Sequence, residues 1–266
     1  MAQETDGDGS DDRRLNAIIT SSGDIAGGAI GAAIGFLLGG PAGAVLGGAS
    51  GPAAAATIKK IGHEATGRLL GPREKVRIGG ALAIAAAHIK GRTERGEKLR
   101  TDGYFETRHG GRSDAEEVAE SVLLKSQREA EERKIPFMAY LVGNIAFNDA
   151  ISAHLAHQII KAAESMTYRQ LCILKLAAVS KNYSLRATDY RGQGKFSKAQ
   201  YEILYECLDL YHRAFVNFGG DVAFGPTDVK PGSMQLQGMG ADIYNEMGLA
   251  TISQEDLDPI IAQLSR

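Results

Sequence analysis

The sequence has few cysteines and none of the short motifs that mark the common enzyme classes. Its two cysteines, Cys172 and Cys207, lie far apart in half-apolar stretches, so we interpret them as reduced core thiols and not as a disulfide framework. The chain contains no GxxxxGK[ST], GxGxxG or GxSxG motif, and no nucleophile stands beside an obvious base. These absences predict a protein that is not an enzyme and that uses no cofactor.

One group of residues has the spacing of metal ligands. His154 and His157 are three residues apart on a predicted helix and lie close in sequence to Asp149. A histidine pair at this spacing can share a metal ion with a carboxylate. Such a pair more often faces solvent or caps a neighbouring helix, so we predict no metal site.

The net charge of −2 hides three blocks of different sign. Residues 1–24 carry six acids and two bases, which predicts an acidic disordered tail without the basic start of a signal peptide. Residues 58–112 carry thirteen bases and six acids, whereas residues 113–266 carry fifteen bases and twenty acids. We therefore expect the basic block to contact anionic lipid or nucleic acid on the cytoplasmic side of a membrane.

Charge is absent from residues 25–58, and glycine recurs through this stretch at every fourth position. A face of glycines lets another helix backbone approach closely, so that dispersion holds helices together in lipid. In water, each glycine costs a helix about 0.5–1 kcal/mol relative to alanine. We therefore interpret residues 25–58 as a glycine-zipper membrane segment that packs against other such helices. The predicted helix-packing or pore positions are Gly23, Gly27, Gly31, Gly35, Gly39, Gly43, Gly47 and Gly51.

The length and composition of this segment leave alternatives open. As one helix it would span about 51 Å, against roughly 30 Å of hydrocarbon. Pro41 predicts a kink, and we favour a kinked crossing over a hairpin of two shorter pieces. Because few of its residues are strongly apolar, insertion is marginal. A buried helix in a soluble bundle is the main alternative, whereas a flexible linker does not fit the regular spacing.

Residues 59–112 are predicted to form a basic helical and hinge region. The apolar run within it, residues 79–89, is too short to span a bilayer. An interfacial amphipathic helix and a helix packed under the first one both fit this run. Residues 90–112 are basic, punctuated by glycine and nearly free of aliphatic side chains, which predicts a linker or hinge arm.

Residues 113–266 are predicted to form a cytoplasmic helical sensor domain. A capping box at Ser113 and Glu116 begins it, and apolar residues then recur at helical spacing. VAFGPTDV and SMQLQG predict a small hairpin, so we expect a mainly α fold that ends in a winged-helix-like α+β element. The predicted helices cover 114–134, 137–147, 149–164, 168–181 and 198–217, followed by GADIYNEMGL and a last helix after Ser253.

The loop between the fourth and fifth of these helices alternates cations with aromatic side chains. Cations neutralise phosphates and aromatic rings stack on bases, which is how proteins hold single strands without reading their sequence. The ordinary alternative is a solvated loop whose tyrosines fold back onto the helices. The candidate nucleic-acid-binding residues are Lys181, Tyr183, Arg186, Tyr190, Arg191 and Lys195.

The order of these parts resembles that of two-part membrane effectors of bacterial anti-phage defence. The likeness rests on GAIGAAIGFLLGGPAGAVLGG followed by a helical domain with a basic, aromatic loop, and it is greatest for the effector of Hailong-type systems. The resemblance implies a homo-oligomer, with a tetramer favoured, that binds short single-stranded DNA made by a nucleotidyltransferase partner. It also implies a pore that disrupts the membrane potential.

Three functions fit the sequence. The first is an oligomeric pore or ion channel that is gated by a ligand on its cytoplasmic domain, either at the inner membrane or soluble until triggered. The second is a membrane-anchored adaptor that binds nucleic acid or protein and forms no pore. The third is a wholly soluble oligomer with an interior glycine helix. We favour the first because the glycine repeat is regular, only marginally apolar and followed by a basic hinge.

Overall fold

The computed structural model describes residues 52–66, 70–108 and 111–265. Within these ranges the chain is mainly helical and contains one two-stranded sheet, which confirms the predicted fold class at this level. The acidic tail, the eight repeat glycines and residues 25–51 of the predicted membrane segment lie outside the described residues. Contacts divide the chain into two compact units, Met1–Ser165 and Met166–Arg266. The division falls inside the segment that the sequence predicts as one sensor domain.

The first unit has five α-helices among its described residues. The predicted capping box is confirmed, since Ser113 Oγ accepts the N–H of Glu116 and the Glu116 side chain accepts the N–H of Ser113. The helix predicted over 114–134 ends earlier, because the backbone becomes extended at Glu129. The helices are α1 (Pro52–Thr66), α2 (Pro72–Glu94), α3 (Asp114–Arg128), α4 (Ile135–Ile145) and α5 (Ala153–Ser165).

Helix α2 lies at the centre of the first unit. Its run from Gly79 to Ile89 is almost wholly buried and packs against α3 and α4. The approach of α4 is close, because a Cβ atom added at Gly143 would lie 2.6 Å from the Cδ2 atom of His88. This burial fits a packed helix and leaves no apolar face for a membrane interface. In the described part of the chain, no helix combines the length and the apolar character that a membrane crossing requires.

Helix α1 follows directly after Gly51, the last glycine of the repeat. Its buried residues Ala54, Ile58 and Ile61 face inward, and the helix packs on α2 and α3. Residues 52–58, the end of the predicted membrane segment, therefore lie in a helix whose apolar side is covered by protein.

Within the predicted hinge arm, residues after α2 are anchored by Arg100 and Tyr104, which are both buried. The guanidinium group of Arg100 donates to the backbone oxygens of Asn148 and Ile151 at 2.8 and 2.7 Å. It also lies 4.3 Å from the centroid of the Tyr104 ring, a cation–π distance. Burial raises the pKa of Tyr104 above its usual range. The connection between α2 and α3 is thus fixed to the loop between α4 and α5.

The second unit has four α-helices and the sheet among its described residues. Two predicted caps are confirmed, because Thr167 accepts the N–H of Gln170 and Ser197 accepts the N–H of Gln200. The helices are α6 (Tyr168–Val179), α7 (Lys198–His212), α8 (Met239–Glu246) and α9 (Gln254–Leu264). The antiparallel strands are β1 (Val216–Phe218) and β2 (Met234–Leu236).

The predicted hairpin is correct in its second strand and wrong in its first. Strand β2 lies in SMQLQG, but its partner is β1 and not VAFGPTDV. Helix α7 ends at His212, five residues before the predicted end, and Ala214 then takes a left-handed φ of 56°. VAFGPTDV instead forms a loop and a 3-10 turn, because Asp228 accepts the N–H groups of Phe224 and Gly225.

Both cysteines are buried and neither forms a disulfide bond, as the sequence predicts. Burial raises the pKa of Cys207 to about 12. A thiol with such a pKa stays protonated at neutral pH, which makes it a poor nucleophile.

The most crowded glycine among those described is Gly240, at which a Cβ atom would lie 2.0 Å from the backbone oxygen of Phe215. Backbone cannot move aside as a flexible side chain can, so we expect Gly240→Ala to lower the free energy of unfolding by about 3 kcal/mol. Urea unfolding measures the change. The matched control is Gly194→Ala, since a Cβ atom at Gly194 meets nothing within 4 Å. Equal losses in the two variants would contradict the packing described.

His88 makes the first unit sensitive to pH. Its ring is largely buried, and Nε2 lies 2.7 Å from Oδ1 of Asn144. Burial lowers the pKa of His88 below its ordinary 6.5, and the charge of Arg92 lowers it further, although the bond to Asn144 opposes them. The unfolded chain therefore takes up a proton before the folded chain does. The stabilisation is complete above pH 6.5 and is lost as the pH falls from there through the lower folded pKa.

We expect the free energy of unfolding of the wild type to fall below pH 6.5 more steeply than that of His88→Gln. The difference in slope is at most about 1.4 kcal/mol per pH unit for one proton. Glutamine keeps a polar partner for Asn144 but does not titrate. Thermal or urea unfolding of both proteins over a series of pH values therefore measures the contribution of the imidazole titration to stability. Parallel pH profiles for the two proteins would show that His88 is not the titrating group.

Candidate nucleic-acid interface

The predicted loop runs between α6 and α7 and is anchored by Tyr190, whose ring is fully buried. The hydroxyl group of Tyr190 donates to the backbone oxygen of Leu264 at 3.3 Å, and its N–H donates to that of Thr227 at 2.8 Å. Burial raises the pKa of Tyr190 to about 12. Tyr190 therefore belongs to the core of the second unit, and its ring has no open face for a base.

Arg186 supports this anchor. Its guanidinium carbon lies 4.4 Å from the centroid of the Tyr190 ring. Its Nε donates to the backbone oxygen of Asp189 at 3.1 Å, and its Nη1 donates to Oε1 of Gln193 at 3.3 Å. The guanidinium group of Arg186 thus donates its hydrogen bonds within the loop. It is therefore not available for a bidentate bond to a phosphate.

Arg191 links the loop to the turn that follows β1. Its side chain is 60% exposed, and its Nε lies 2.7 Å from Oδ1 of Asp228. The other carboxylate oxygen of Asp228 accepts the N–H groups of Phe224 and Gly225 at 2.8 and 3.1 Å. The bond from Arg191 and those N–H groups hold the pKa of Asp228 below its usual range. The charged carboxylate thus clamps the two loops together.

Phe224 is the most exposed large apolar side chain of the described residues, at 82%. Its backbone is pinned by Asp228, and the same carboxylate holds Arg191. The clamp therefore places an exposed ring near an exposed cation, which is the combination that single-strand binding uses. The sequence prediction missed Phe224 by assigning it to a strand. The signal that identifies a turn there is Gly225-Pro226 with Asp228 close behind.

The start of α7 extends this surface. The side-chain amide of Gln193 donates to the backbone oxygen of Lys195 at 3.1 Å and to Oε1 of Gln200 at 3.0 Å, which ties the loop to the helix. Tyr201 and Tyr205 are both more than half exposed. They are spaced i, i+4 on α7, so they lie on the same helix face. The turn at Pro226–Asp228 also contacts α7. We call the aromatic–basic surface the pair joined through Asp228, Arg191 and Phe224, together with the exposed residues of the adjoining loop and α7, which are Lys195, Lys198, Tyr201 and Tyr205.

Two predicted residues lie apart from this surface, at the beginning of the loop. Lys181 is exposed, and the hydroxyl group of Tyr183 donates to Oε1 of Gln254 at 2.7 Å. No contact among the described residues joins either of them to Arg191 or Phe224. Of the six predicted residues, the structure thus brings together Arg186, Tyr190, Arg191 and Lys195.

The other sites considered from the sequence are the repeat glycines and the histidine pair near Asp149. The eight repeat glycines lie outside the described residues. In the described ranges, no three histidine, cysteine, aspartate or glutamate side chains are placed to hold a metal ion. No protein-family model, curated protein or solved structure matches the chain at a significant level. A function for the chain therefore rests on its own residues.

The aromatic–basic surface predicts that a base stacks on Phe224 and not on Tyr190. We expect Phe224→Ala to weaken the binding of a short single-stranded DNA by about 5- to 150-fold, because one stacked base contributes about 1–3 kcal/mol. Fluorescence anisotropy of a labelled oligonucleotide measures the dissociation constant. Tyr190→Phe is the control, since it keeps the buried ring and should bind as the wild type does. Unchanged binding by Phe224→Ala would remove this surface from consideration.

Proposed function

We propose that the chain is a homo-oligomeric membrane effector of bacterial anti-phage defence. Residues 25–51 of the predicted membrane segment supply a glycine-zipper pore or ion channel, since residues 52–58 pack on protein in α1, and a single-stranded oligonucleotide bound to the second unit gates it. The observation that carries the proposal is the eight-glycine repeat, which ends at Gly51, directly before α1. A tetramer at the cytoplasmic face of the inner membrane and a nucleotidyltransferase that makes the ligand complete the proposal.

The attachment of α1 supports gating. Lys60 Nζ lies 2.7 Å from Oε2 of Glu116, and Arg112 pairs with both Glu64 and Glu120. These ion pairs tie α1 to the start of α3, and the buried side of α1 adds apolar contact. Because the uncharged run joins α1 without a linker, a shift of the first unit would displace the end of every membrane helix in an oligomer.

The second unit supports the choice of ligand. Asp228 joins the exposed cation Arg191 to the backbone of the exposed Phe224, a pairing that suits a phosphate and a base together. The short hairpin that accompanies its helices is compatible with the predicted winged-helix-like element, which we retain as part of the proposal. A pore made from the uncharged run would be lined by backbone and small side chains, so we expect weak ion selectivity.

A membrane-anchored adaptor without pore activity is the second candidate, and the length of the uncharged run is compatible with it as well as with a pore. Residues 52–58 pack on protein in the first unit, which leaves residues 25–51 for a crossing. As one helix these would span about 40 Å, enough for a single anchor in a bilayer of roughly 30 Å.

Replacing Gly31, Gly35 and Gly39 with leucine separates the two functions. Leucine fills the face through which the helices approach but makes the segment more apolar. We expect the variant to reach the membrane fraction yet to lose depolarisation and growth arrest when it is expressed in bacteria. A dye that reports membrane potential measures the first effect, and growth curves measure the second.

The matched control replaces Ala29, Ala33 and Ala44 with leucine, which adds similar bulk away from the glycine register. We expect this control to depolarise cells as the wild type does. Depolarisation by the glycine variant at the level of the control would contradict the pore and leave the passive anchor.

A further inference from the structure

Asp228 carries the same sign of charge as a phosphate, yet it joins the two exposed groups of the aromatic–basic surface that suit a nucleotide. Its side chain is only 10% exposed. Asp189 brings a second carboxylate to 3.9 Å from Nε of Arg191. By charge alone, these carboxylates would weaken the binding of an oligonucleotide. The hydrogen bonds that Asp228 accepts have the opposite effect.

Asp228 fixes one edge of the Arg191 guanidinium group and leaves the other edge open. Oδ1 of Asp228 accepts a bond from Nε at 2.7 Å, and the backbone N–H of Arg191 donates to Oδ1 of Asp189 at 3.2 Å. Among the described residues, neither Nη group of Arg191 donates a hydrogen bond. Because a guanidinium group has five N–H donors, the Nη edge can still donate to the oxygens of a phosphate.

The second oxygen of Asp228 holds the segment that carries the exposed ring. Oδ2 accepts the N–H groups of Phe224 and Gly225 at 2.8 and 3.1 Å. These bonds fix the backbone from which the ring of Phe224 projects, while the ring itself is 82% exposed. Ordering one backbone residue during binding would weaken the affinity about 5- to 30-fold. A ligand that stacks on a residue already held in place avoids that cost.

A backbone bond joins the same two loops beside the carboxylate. The N–H of Tyr190 donates to the backbone oxygen of Thr227 at 2.8 Å, so the residues that precede Arg191 and Asp228 are also in contact. The bonds that Asp228 accepts keep its pKa below the usual range, so the carboxylate is charged at neutral pH. Asp228 therefore holds both partners as an ionised group in a fixed position.

The repulsion and the placement can be compared as changes in affinity. A carboxylate and a phosphate about 6 Å apart in the dielectric of water weaken binding about threefold by repulsion. A base stacked on an aromatic ring strengthens binding about 5- to 150-fold. The placement of the ring and of the cation therefore outweighs the repulsion.

We propose that Asp228 is a positioning residue for the oligonucleotide, because it presents the Nη edge of Arg191 to a phosphate and the ring of Phe224 to a base. The inference rests on the proposed function, since it takes a single-stranded oligonucleotide as the ligand of the second unit. Removing this negative charge should weaken the binding of a negatively charged ligand, which is the reverse of what net charge predicts.

Fluorescence anisotropy of a labelled oligodeoxythymidylate with the full chain, at one fixed salt concentration, tests the inference. The test variant is Asp228→Asn. Its amide nitrogen cannot accept a hydrogen bond, so either Arg191 or the N–H groups of Phe224 and Gly225 lose their acceptor. We expect the dissociation constant to rise about tenfold. Binding as tight as that of the wild type, or tighter, would overturn the inference.

The matched control is Asp221→Asn, which removes the same charge from the same connection between β1 and β2. Asp221 is 54% exposed and pairs with Lys230 at 2.7 Å. We expect this control to bind as tightly as the wild type, or up to about threefold more tightly because repulsion falls. Equal weakening in the two variants would mean that the bonds of Asp228 are not the cause, and the inference would fail.

A double-mutant cycle with Phe224→Ala separates positioning from a general loss of structure. If Asp228 acts by placing the ring, Asp228→Asn should weaken binding at least about threefold less in the Phe224→Ala background than in the wild type. Equal losses in the two backgrounds would contradict positioning.

Urea unfolding checks that each variant is folded under the conditions of the assay. Should Asp228→Asn be unfolded, Arg191→Lys gives a second test, since it keeps the positive charge but loses the guanidinium edge that Asp228 orients. We expect Arg191→Lys to weaken binding at least about fivefold. Binding by Arg191→Lys at the level of the wild type would then overturn the inference.

Two outcomes separate this inference from the proposed function. If the wild type and Asp228→Asn bind the oligonucleotide equally well, the role of Asp228 is wrong and the proposed ligand stands. If the wild type does not bind the oligonucleotide, the ligand of the proposed function is wrong, and the inference is overturned with it.

Discussion

The first unit depends on the close burial of one helix. Helix α2 carries a run of glycine and alanine between isoleucines, and this run lets α3 and α4 approach its backbone. Ile84 is fully buried there, and a Cβ atom added at Gly143 of α4 would lie 2.6 Å from the His88 side chain of α2, which would have to shift. Small side chains thus serve close helix packing inside a protein core, as they do between helices in lipid.

The second unit depends on a charged clamp that decides which aromatic side chains are exposed. Asp228 holds the backbone of Phe224 on one side and the guanidinium group of Arg191 on the other. The residue before Arg191 turns inward, where Leu264 accepts the hydroxyl group of Tyr190. Adjacent residues of the loop therefore differ in burial: Tyr190 lies in the core of the second unit, whereas Arg191 lies at its surface. The rings that this arrangement leaves exposed to a proposed ligand are Phe224 and the tyrosines of α7, Tyr201 and Tyr205.

Local chemistry was readable in the sequence, and tertiary burial was not. The caps at Ser113, Thr167 and Ser197 were predictable because each depends on residues within one turn. The first strand was missed because β1 follows a left-handed Ala214, which no propensity favours. The burial of Tyr190 fits the alternative in which the tyrosines of the loop fold back onto the helices, and the sequence could not choose it because the partners of Tyr190 lie in distant segments of the second unit. Tyr190 and Phe224 both lie in polar loops, and the residues next to them in sequence do not indicate which of the two rings is buried.

The same difference between local sequence and tertiary structure applies to the pairing of charged side chains. Counted along the chain, residues 58–112 form a strongly basic block, but many of its cations are paired, some with acids close by in sequence, such as Lys90 with Glu94, and others with acids that the fold brings to them, such as Lys60 with Glu116. Arg73 and Lys75 in the first turn of α2 and Arg128 at the end of α3 are exposed, and the bonds of Glu74 and Arg77 with Gln127 bring these positions to the same end of α3. The net charge of a segment therefore overstates what the folded unit offers to a partner, because pairing depends on which side chains the helices place side by side.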